Sequence, residues 1–127
     1  MSIAVDLSAL AERVEEYGPI AYLVTVSAEG LPHVVSVTVA WDGDDKQHLV
    51  VGAGRHTSTN VGHNPTVTLL WPAPPGNAYG LIVDGKGRVE GEGADATVAI
   101  GPSAAVLHRT PAGDPESPSC ITVLAKS

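Results

Sequence analysis

The 127-residue chain contains a single cysteine, Cys120, and no phenylalanine. One cysteine excludes an intrachain disulfide and a zinc site of several thiolates, and it is typical of a reducing compartment. No run approaches the roughly 18 apolar residues of a membrane helix, and the N-terminus lacks the basic start and apolar core of a signal peptide. We therefore expect a cytoplasmic protein without a membrane partner. With only two tryptophans and three tyrosines, its core must consist mainly of Val, Leu, Ile and Ala.

Basic residues are also scarce. Seven Lys and Arg against fourteen Asp and Glu give a formal charge of −7 and a pI near 5.0. Binding to a nucleic-acid backbone draws its affinity from many positive contacts, so nucleic acid is not expected as a partner. The length and the apolar fraction of 43% fit one compact domain over residues 1–127.

Hydrophobic periodicity predicts one N-terminal helix followed mainly by strands. Over residues 6–17 the apolar positions recur every three or four residues, which predicts an amphipathic helix that ends at Gly18-Pro19. Alternation with period two then predicts short strands. They cover residues 20–27, 33–41, 48–51, 67–71 and 79–83, with 86–90 as a continuation of the fifth, and a closing strand at 121–124.

Two shorter segments are interpreted from their polar and breaker residues. Residues 55–63 are polar and precede Asn64-Pro65, which predicts a short helix between the third and fourth strands. Residues 93–118 have the weakest pattern, and we interpret residues 103–108 as a helical turn because proline limits the length of any element there.

These elements favour a mostly-β fold, a six-stranded antiparallel barrel with an N-terminal helix and a short helix between strands three and four. Both faces of the first three strands are rich in Val, Leu and Ala. One face can line the barrel, and the other is then available for a second copy of the chain. We therefore expect a homodimer.

No residue stands out as a general acid, a general base or a nucleophile, so no catalytic residue is assigned. The five histidines lack the spacing of a metal site, and structural roles are predicted for them. The acidic residues fall on a helix face and in a turn, where carboxylates are solvated. No Gly-x-Ser-x-Gly elbow is present.

The most informative segment runs from Gly52 to Asn60. Its glycines let a ligand approach the backbone, and a helix start offers free N–H groups. Arg55 adds a permanent positive charge, and the hydroxyls of residues 57–59 add hydrogen-bonding groups. This combination suits one phosphate group, although it is neither a Walker loop nor Gly-x-Gly-x-x-Gly. The alternative is an ordinary helix start with a Ser or Thr cap and a solvated arginine.

The order of elements resembles the pyridoxamine 5'-phosphate oxidase-like split β-barrel superfamily, and it looks most like the small actinobacterial members that bind FMN or the deazaflavin F420. The resemblance covers about residues 5–93 and rests on the hairpin of residues 22–37, the Asn64-Pro65 stop and the strand Val67-Thr68-Leu69-Leu70-Trp71. It implies two protomers packed barrel to barrel, with the cofactor at their interface and its phosphate near the start of the helix after the third strand.

The resemblance also implies candidate site residues. Ser36, Val37 and Gly52 fall where family members contact the flavin ring or the ribityl chain, and residues 55–58 lie at the phosphate loop. Trp71 is placed either to stack on the flavin or to pack in the interface. Lys86, like Arg88, is placed to reach a phosphate. The predicted cofactor-binding residues are Ser36, Val37, Gly52, Arg55, His56, Thr57, Ser58, Trp71 and Lys86.

The sequence departs from the family pattern at its charged positions. The usual Arg-Lys pair falls on His56 and Thr57, and Arg55 stands where a serine is usual. The oxidase itself has Arg and Lys on the second strand, where this chain has Val35 and Ala40. Oxidation of pyridoxamine phosphate is therefore not expected.

Two hypotheses follow. The first is an oxidoreductase that binds FMN or F420 and transfers a hydride to or from an unidentified small molecule, the cofactor carrying the hydride. The second is a non-catalytic split-barrel dimer that carries a cofactor, haem or another ligand, or serves as a structural module. An oligonucleotide-binding barrel would need more basic and aromatic residues on one strand face.

Overall fold

The computed structural model of the protein describes residues 2–110. Within this range the chain forms seven strands and two α-helices: β1 (Ser2–Val5), α1 (Leu10–Tyr17), β2 (Ile20–Val26), β3 (Pro32–Asp42), β4 (His48–Gly52), α2 (Arg55–His63), β5 (Thr66–Trp71), β6 (Gly80–Glu90) and β7 (Thr97–His108). Short 3₁₀ turns at Leu7–Ala9 and Gly93–Asp95 precede α1 and β7.

Six of the strands close into an antiparallel barrel. They follow the order β7-β4-β3-β2-β5-β6, and β6 pairs in turn with β7. β4 pairs with the beginning of β7, whereas β1 lies outside the ring and pairs with the end of β7, from Ser2 opposite His108 to Val5 opposite Ala105. The predicted mostly-β, six-stranded barrel is confirmed.

Sequence periodicity did not predict β1. Its four residues, SIAV, are mostly exposed and too few to show a burial period, so the strand depends on its pairing with β7. The predicted third and fourth strands are therefore β4 and β5. The short helix predicted between them corresponds to α2, with the same bounds, Arg55–His63.

The helical turn predicted for residues 103–108 is wrong, because those residues belong to β7. A β-bulge accommodates the proline that suggested a break. Asp84 of β6 pairs with Ala104 and Gly85 pairs with Pro102, so Ser103 has no opposite residue. The Ser103 hydroxyl instead donates a hydrogen bond of 3.1 Å to the Asp84 carbonyl. The predicted strand at residues 121–124 lies outside the described range.

The two helices cover opposite ends of the barrel. α1 buries Leu10 and Val14 at one end, where Trp71 Nε1 donates a 2.8 Å hydrogen bond to the carbonyl of Gly18. α2 buries Asn60 and Val61 at the other end. Between them the barrel interior is filled by aliphatic side chains with little or no exposed surface, among them Leu23, Leu49, Leu69, Leu81 and Ile100. No helix among residues 2–110 is long and apolar enough to cross a membrane.

Asp6 starts the segment that leads into α1. Its carboxylate accepts hydrogen bonds from the backbone N–H and the hydroxyl of Ser8, at 3.0 and 2.9 Å. These two bonds, the backbone one first, lower the pKa of Asp6 below its usual value.

Candidate functional site

Two grooves meet where β4 leads into α2. The narrow groove has a volume of about 310 Å³ and lies between β3 and the first turn of α2. The wide groove has a volume of about 820 Å³ and lies between α2 and the connection from β6 to β7. Gly52, Gly54 and Arg55 line both grooves. The β4–α2 junction is therefore their common wall.

The narrow groove brings together most of the predicted site residues. β3 and β4 are paired up to Val39 and Val51, so the chain just before Val39 lies beside the chain just after Val51. Six of the nine predicted residues line this groove: Ser36, Val37, Gly52, Arg55, His56 and Thr57. Ser58 lines the wide groove instead.

The start of α2 has unused hydrogen-bonding capacity. Its N-cap residue is Gly54, which has no side chain to cap the helix, so the alternative of a Ser or Thr cap is wrong. The first helical bond runs from Ser58 N–H to the Gly54 carbonyl, at 2.9 Å. The N–H groups of residues 55–57 precede that bond and have no intrahelical acceptor.

Two polar side chains beside these amides also have no partner in the part of the chain that the structure describes. Thr57 is only 3% exposed, yet its hydroxyl makes no hydrogen bond there. The Arg55 guanidinium is exposed and makes neither a hydrogen bond nor an ion pair within residues 2–110. The Thr57 hydroxyl oxygen keeps some accessible surface, so a ligand in the narrow groove can form a hydrogen bond with it.

His33 is a groove residue that sequence reasoning missed. Its ring centroid lies 5.8 Å from that of His56, with the planes tilted by 42°. The His33 Nδ1 atom is buried and has no hydrogen-bond partner within the described range. The available signal was the period of two, which places His33 on the same face of β3 as Val35 and Val37.

Trp71 and Lys86 do not join the narrow groove. Trp71 is 1% exposed and its hydrogen bond to Gly18 holds it at the α1 end of the barrel, so the structure favours packing over stacking for this residue. The Lys86 ammonium donates a 2.7 Å hydrogen bond to the Thr66 hydroxyl across the β5–β6 pair. Arg88 forms an exposed ion pair with Glu90, at 3.5 Å.

A largely apolar surface adjoins the narrow groove on the outside of the barrel. Residues directly opposite each other in antiparallel strands point to the same side of the sheet. Strand pairing therefore places five outward residues in one row across β3, β2, β5, β6 and β7: Ser36, Tyr22, Leu70, Ile82 and Val106. We call this row and its neighbours Ile20 and Val34, which are 57% and 58% exposed, the outer apolar face.

The fold and the two grooves define a small split-barrel protein with a candidate ligand site at a helix start. A family model described as pyridoxamine 5'-phosphate oxidase matches residues 9–116. The chain belongs to this family. Uncharacterized proteins of Mycobacterium bovis and Mycobacterium tuberculosis are 38% identical to it over 125 residues, covering 91% of this chain and 86% of theirs.

Solved structures agree with the fold. A structure named F420 reductase is 21% identical with a TM-score of 0.56, covering 70% of this chain and 90% of its own. HutZ, a haem storage protein of Vibrio cholerae, is 13% identical with a TM-score of 0.61, covering 83% of this chain and 96% of its own. At these identities the likeness concerns the barrel and not the ligand.

Proposed function

We propose that the protein binds FMN or F420 with the cofactor phosphate in the narrow groove, and that it acts as an oxidoreductase on a small molecule. The observation that carries this proposal is the set of unpartnered groups at one helix start: the N–H groups of residues 55–57, the free hydroxyl of Thr57 and the guanidinium of Arg55. A phosphate accepts hydrogen bonds from all three kinds of group and neutralises the charge of the third.

The other lining residues of the narrow groove offer contacts to the remainder of such a cofactor. Val35 and Val37 offer apolar surface, and Gly52 leaves backbone exposed where a side chain would otherwise stand. When bound, the cofactor supplies hydride transfer. The residues of this chain hold the phosphate, orient the ring system and keep water from it, and none of them is assigned as a general acid or base.

The proposal includes a homodimer formed through the outer apolar face. Tyr22 is 43% exposed there in the single chain, and such a surface favours self-association. Ser36 belongs both to this face and to the narrow groove. A second protomer packed on the face would therefore stand beside the cofactor and help to exclude water from it.

One observation favours a second candidate, a haem carrier. His33 and His56 both line the narrow groove, and their ring centroids lie 5.8 Å apart. Histidine is the usual protein ligand of haem iron in globins and peroxidases. The description of HutZ as a haem storage protein adds weight to this alternative.

Titration of the purified protein with FMN, F420 and haemin separates the candidates. We expect saturable, micromolar binding of FMN or F420, seen as quenching of cofactor fluorescence, and reduction of the bound cofactor without dissociation. Inorganic phosphate should compete with it. Binding of haemin alone, with a Soret shift that His33→Ala removes, would replace the oxidoreductase by the haem carrier. No binding of any of the three would overturn both.

A further inference from the structure

The wide groove is a preformed concavity with very small side chains in its walls. One wall is the β4–α2 junction, and the other is the connection from β6 to β7, which curls back through Gly91 and Gly93 at φ of +79° and +61°. The Ala53 N–H donates a 3.0 Å hydrogen bond to the Ala96 carbonyl, and this bond ties the two walls together. The volume of about 820 Å³ lies within the range of small-molecule sites.

Neither glycine of the shared wall is required by a steric clash or by a positive φ. Gly54 has an extended backbone with φ of −73°, and a Cβ built on either Gly52 or Gly54 would meet no atom within 4 Å. By contrast, a Cβ on Gly91 would lie 3.1 Å from the Asp95 carbonyl oxygen. In a strand, as at Gly52, glycine costs about 0.5–1 kcal/mol relative to alanine, whereas glycine is favoured over alanine at an N-cap, the position of Gly54. What the two glycines provide is open space in the grooves.

The charges of the wide groove indicate what it can bind. Its charged lining residues are Arg55 and Glu92, and they do not form an ion pair with each other. If Arg55 is engaged by a phosphate in the narrow groove, the remaining charge in the wide groove is the carboxylate of Glu92. That carboxylate makes no hydrogen bond or ion pair with any other residue of the range 2–110. The other lining groups are the hydroxyls of Ser58 and Thr59 and apolar surface such as Val89.

We propose that the wide groove is the substrate site and that it takes a small, largely apolar molecule with a protonated amine, whose ammonium group pairs with Glu92. This inference rests on the proposed function for the engagement of Arg55. The net charge of −7 acts in the same direction, because it attracts cations and repels anions over the whole surface. Carboxylate substrates of the same size are disfavoured.

The test uses three probes of similar size and different charge: phenethylammonium, phenethyl alcohol and phenylacetate. Ligand-detected NMR at low salt measures the binding of each probe. It is done once with protein saturated with inorganic phosphate and once with protein free of phosphate. We expect the ammonium to bind about two- to fivefold more tightly than the alcohol, as for an exposed ion pair, and phenylacetate to bind most weakly. Glu92→Gln should remove the difference between ammonium and alcohol. The matched control is Glu29→Gln, an exposed glutamate in the β2–β3 turn that lines neither groove.

A second pair of variants tests the location. Ala94 is exposed and lines only the wide groove, so Ala94→Leu should weaken all three probes, whereas Ala28→Leu in the β2–β3 turn should weaken none. Tightest binding of phenylacetate, an equal effect of Glu92→Gln and Glu29→Gln, or unchanged binding by Ala94→Leu would overturn the proposal. The proposed function fails by a separate result, if the unmodified protein binds neither FMN nor F420. A preference for the ammonium that depends on Glu92 can be measured in either case.

Discussion

The Asn60 amide of α2 donates a 3.1 Å hydrogen bond to the Thr25 hydroxyl of β2. Both residues are buried, at 8% and 1% exposure. The bond joins the middle of α2 to the barrel wall, at a point where the other contacts of the helix are apolar, such as Val61. Because a polar pair has a defined geometry, it sets the rotation of α2 and hence the direction in which Arg55 and Thr57 face.

The first prediction concerns this pair. Thr25→Val removes the acceptor and leaves the Asn60 amide buried, which should lower the free energy of unfolding by about 1–3 kcal/mol. Thr59→Val, on the exposed side of the same helix, is the control and should change stability little. Urea unfolding measures both. Combining Thr25→Val with Asn60→Leu should recover part of the loss, and strict additivity of the two changes would contradict the assigned bond.

The second prediction separates binding from stability at the start of α2. Thr57→Val removes a hydroxyl that has no partner within residues 2–110, so stability should stay the same or rise. Binding of FMN should nevertheless weaken about threefold to tenfold, the value of one hydrogen bond. Arg55→Ala should weaken it about tenfold to a hundredfold through the loss of a charge-assisted bond.

The control for this pair is again Thr59→Val, which lies outside the narrow groove. Fluorescence titration with FMN and thermal unfolding are measured on the same samples. If the affinity for FMN is equal in the unmodified protein, Thr57→Val and Arg55→Ala, the phosphate does not lie at this helix start.

The third prediction concerns the outer apolar face. Tyr22→Glu places a charge in the middle of the row of Ser36, Leu70 and Ile82, and we expect it to shift the protein from dimer to monomer in sedimentation velocity runs. Leu7→Glu is the matched control, because Leu7 is 44% exposed, close to the 43% of Tyr22, but lies on the 3₁₀ turn before α1. A monomeric unmodified protein at micromolar concentration would rule out the proposed dimer.

The fourth prediction follows from the lowered pKa of Asp6. A carboxyl group whose pKa is lower in the folded than in the unfolded state stabilises the fold above its unfolded pKa, and this contribution is lost as the pH falls through the folded pKa. Asp6→Asn should therefore reduce stability at neutral pH and have a smaller effect below about pH 3. Thermal unfolding of both proteins across this pH range measures the difference, and an equal effect at both ends would refute it.

Much of the barrel could be predicted from the sequence because burial is local in a strand. In the two strands between Ile20 and Trp41, apolar and polar residues or buried and exposed positions alternate, and this alternation indicates which side chains face the core. β1 could not be found in this way, since Ser2–Val5 has little buried surface and is specified by its partner. The strand at Thr97–His108 was not predicted because proline usually interrupts a strand. Pro102 is accommodated beside a β-bulge in the β6–β7 pairing, where Ser103 is the extra residue.

The candidate site was predictable to the extent that it is contiguous in sequence. Gly52 to Thr57 carries glycine, a charge and a hydroxyl in one segment, and pairing of adjacent strands brings Ser36 and Val37 to it. Glu92 gave no signal, because it reaches its groove through contacts distant in sequence, and for His33 the only signal was its place on the face of β3 that carries Val35 and Val37. The unused hydroxyl of Thr57 is likewise invisible until burial and hydrogen bonds are known.

The last prediction contrasts two glycines by the space around them. A Cβ on Gly85, beside the bulge, would lie 2.6 Å from the Gly101 carbonyl oxygen and 2.8 Å from Ile100 Cγ2. The backbone oxygen cannot move without breaking the β6–β7 pairing, so Gly85→Ala should destabilise the protein by about 1–3 kcal/mol. A Cβ on Gly62 of α2 meets nothing within 4 Å, so Gly62→Ala should stabilise it by about 0.4–1 kcal/mol.

The two glycine substitutions add the same methyl group, so their effects on the unfolded chain are similar and the opposite signs must come from the folded state. Urea unfolding measures the change in stability for both variants, and unchanged m-values show that the unfolding reaction itself is the same. Because Gly62 lines neither groove, Gly62→Ala should also leave the FMN affinity unchanged, whereas Gly54→Ala, which is equally free of clashes, should weaken it. Equal FMN affinity for these two variants would show that the space beside Gly54 is not used by a ligand.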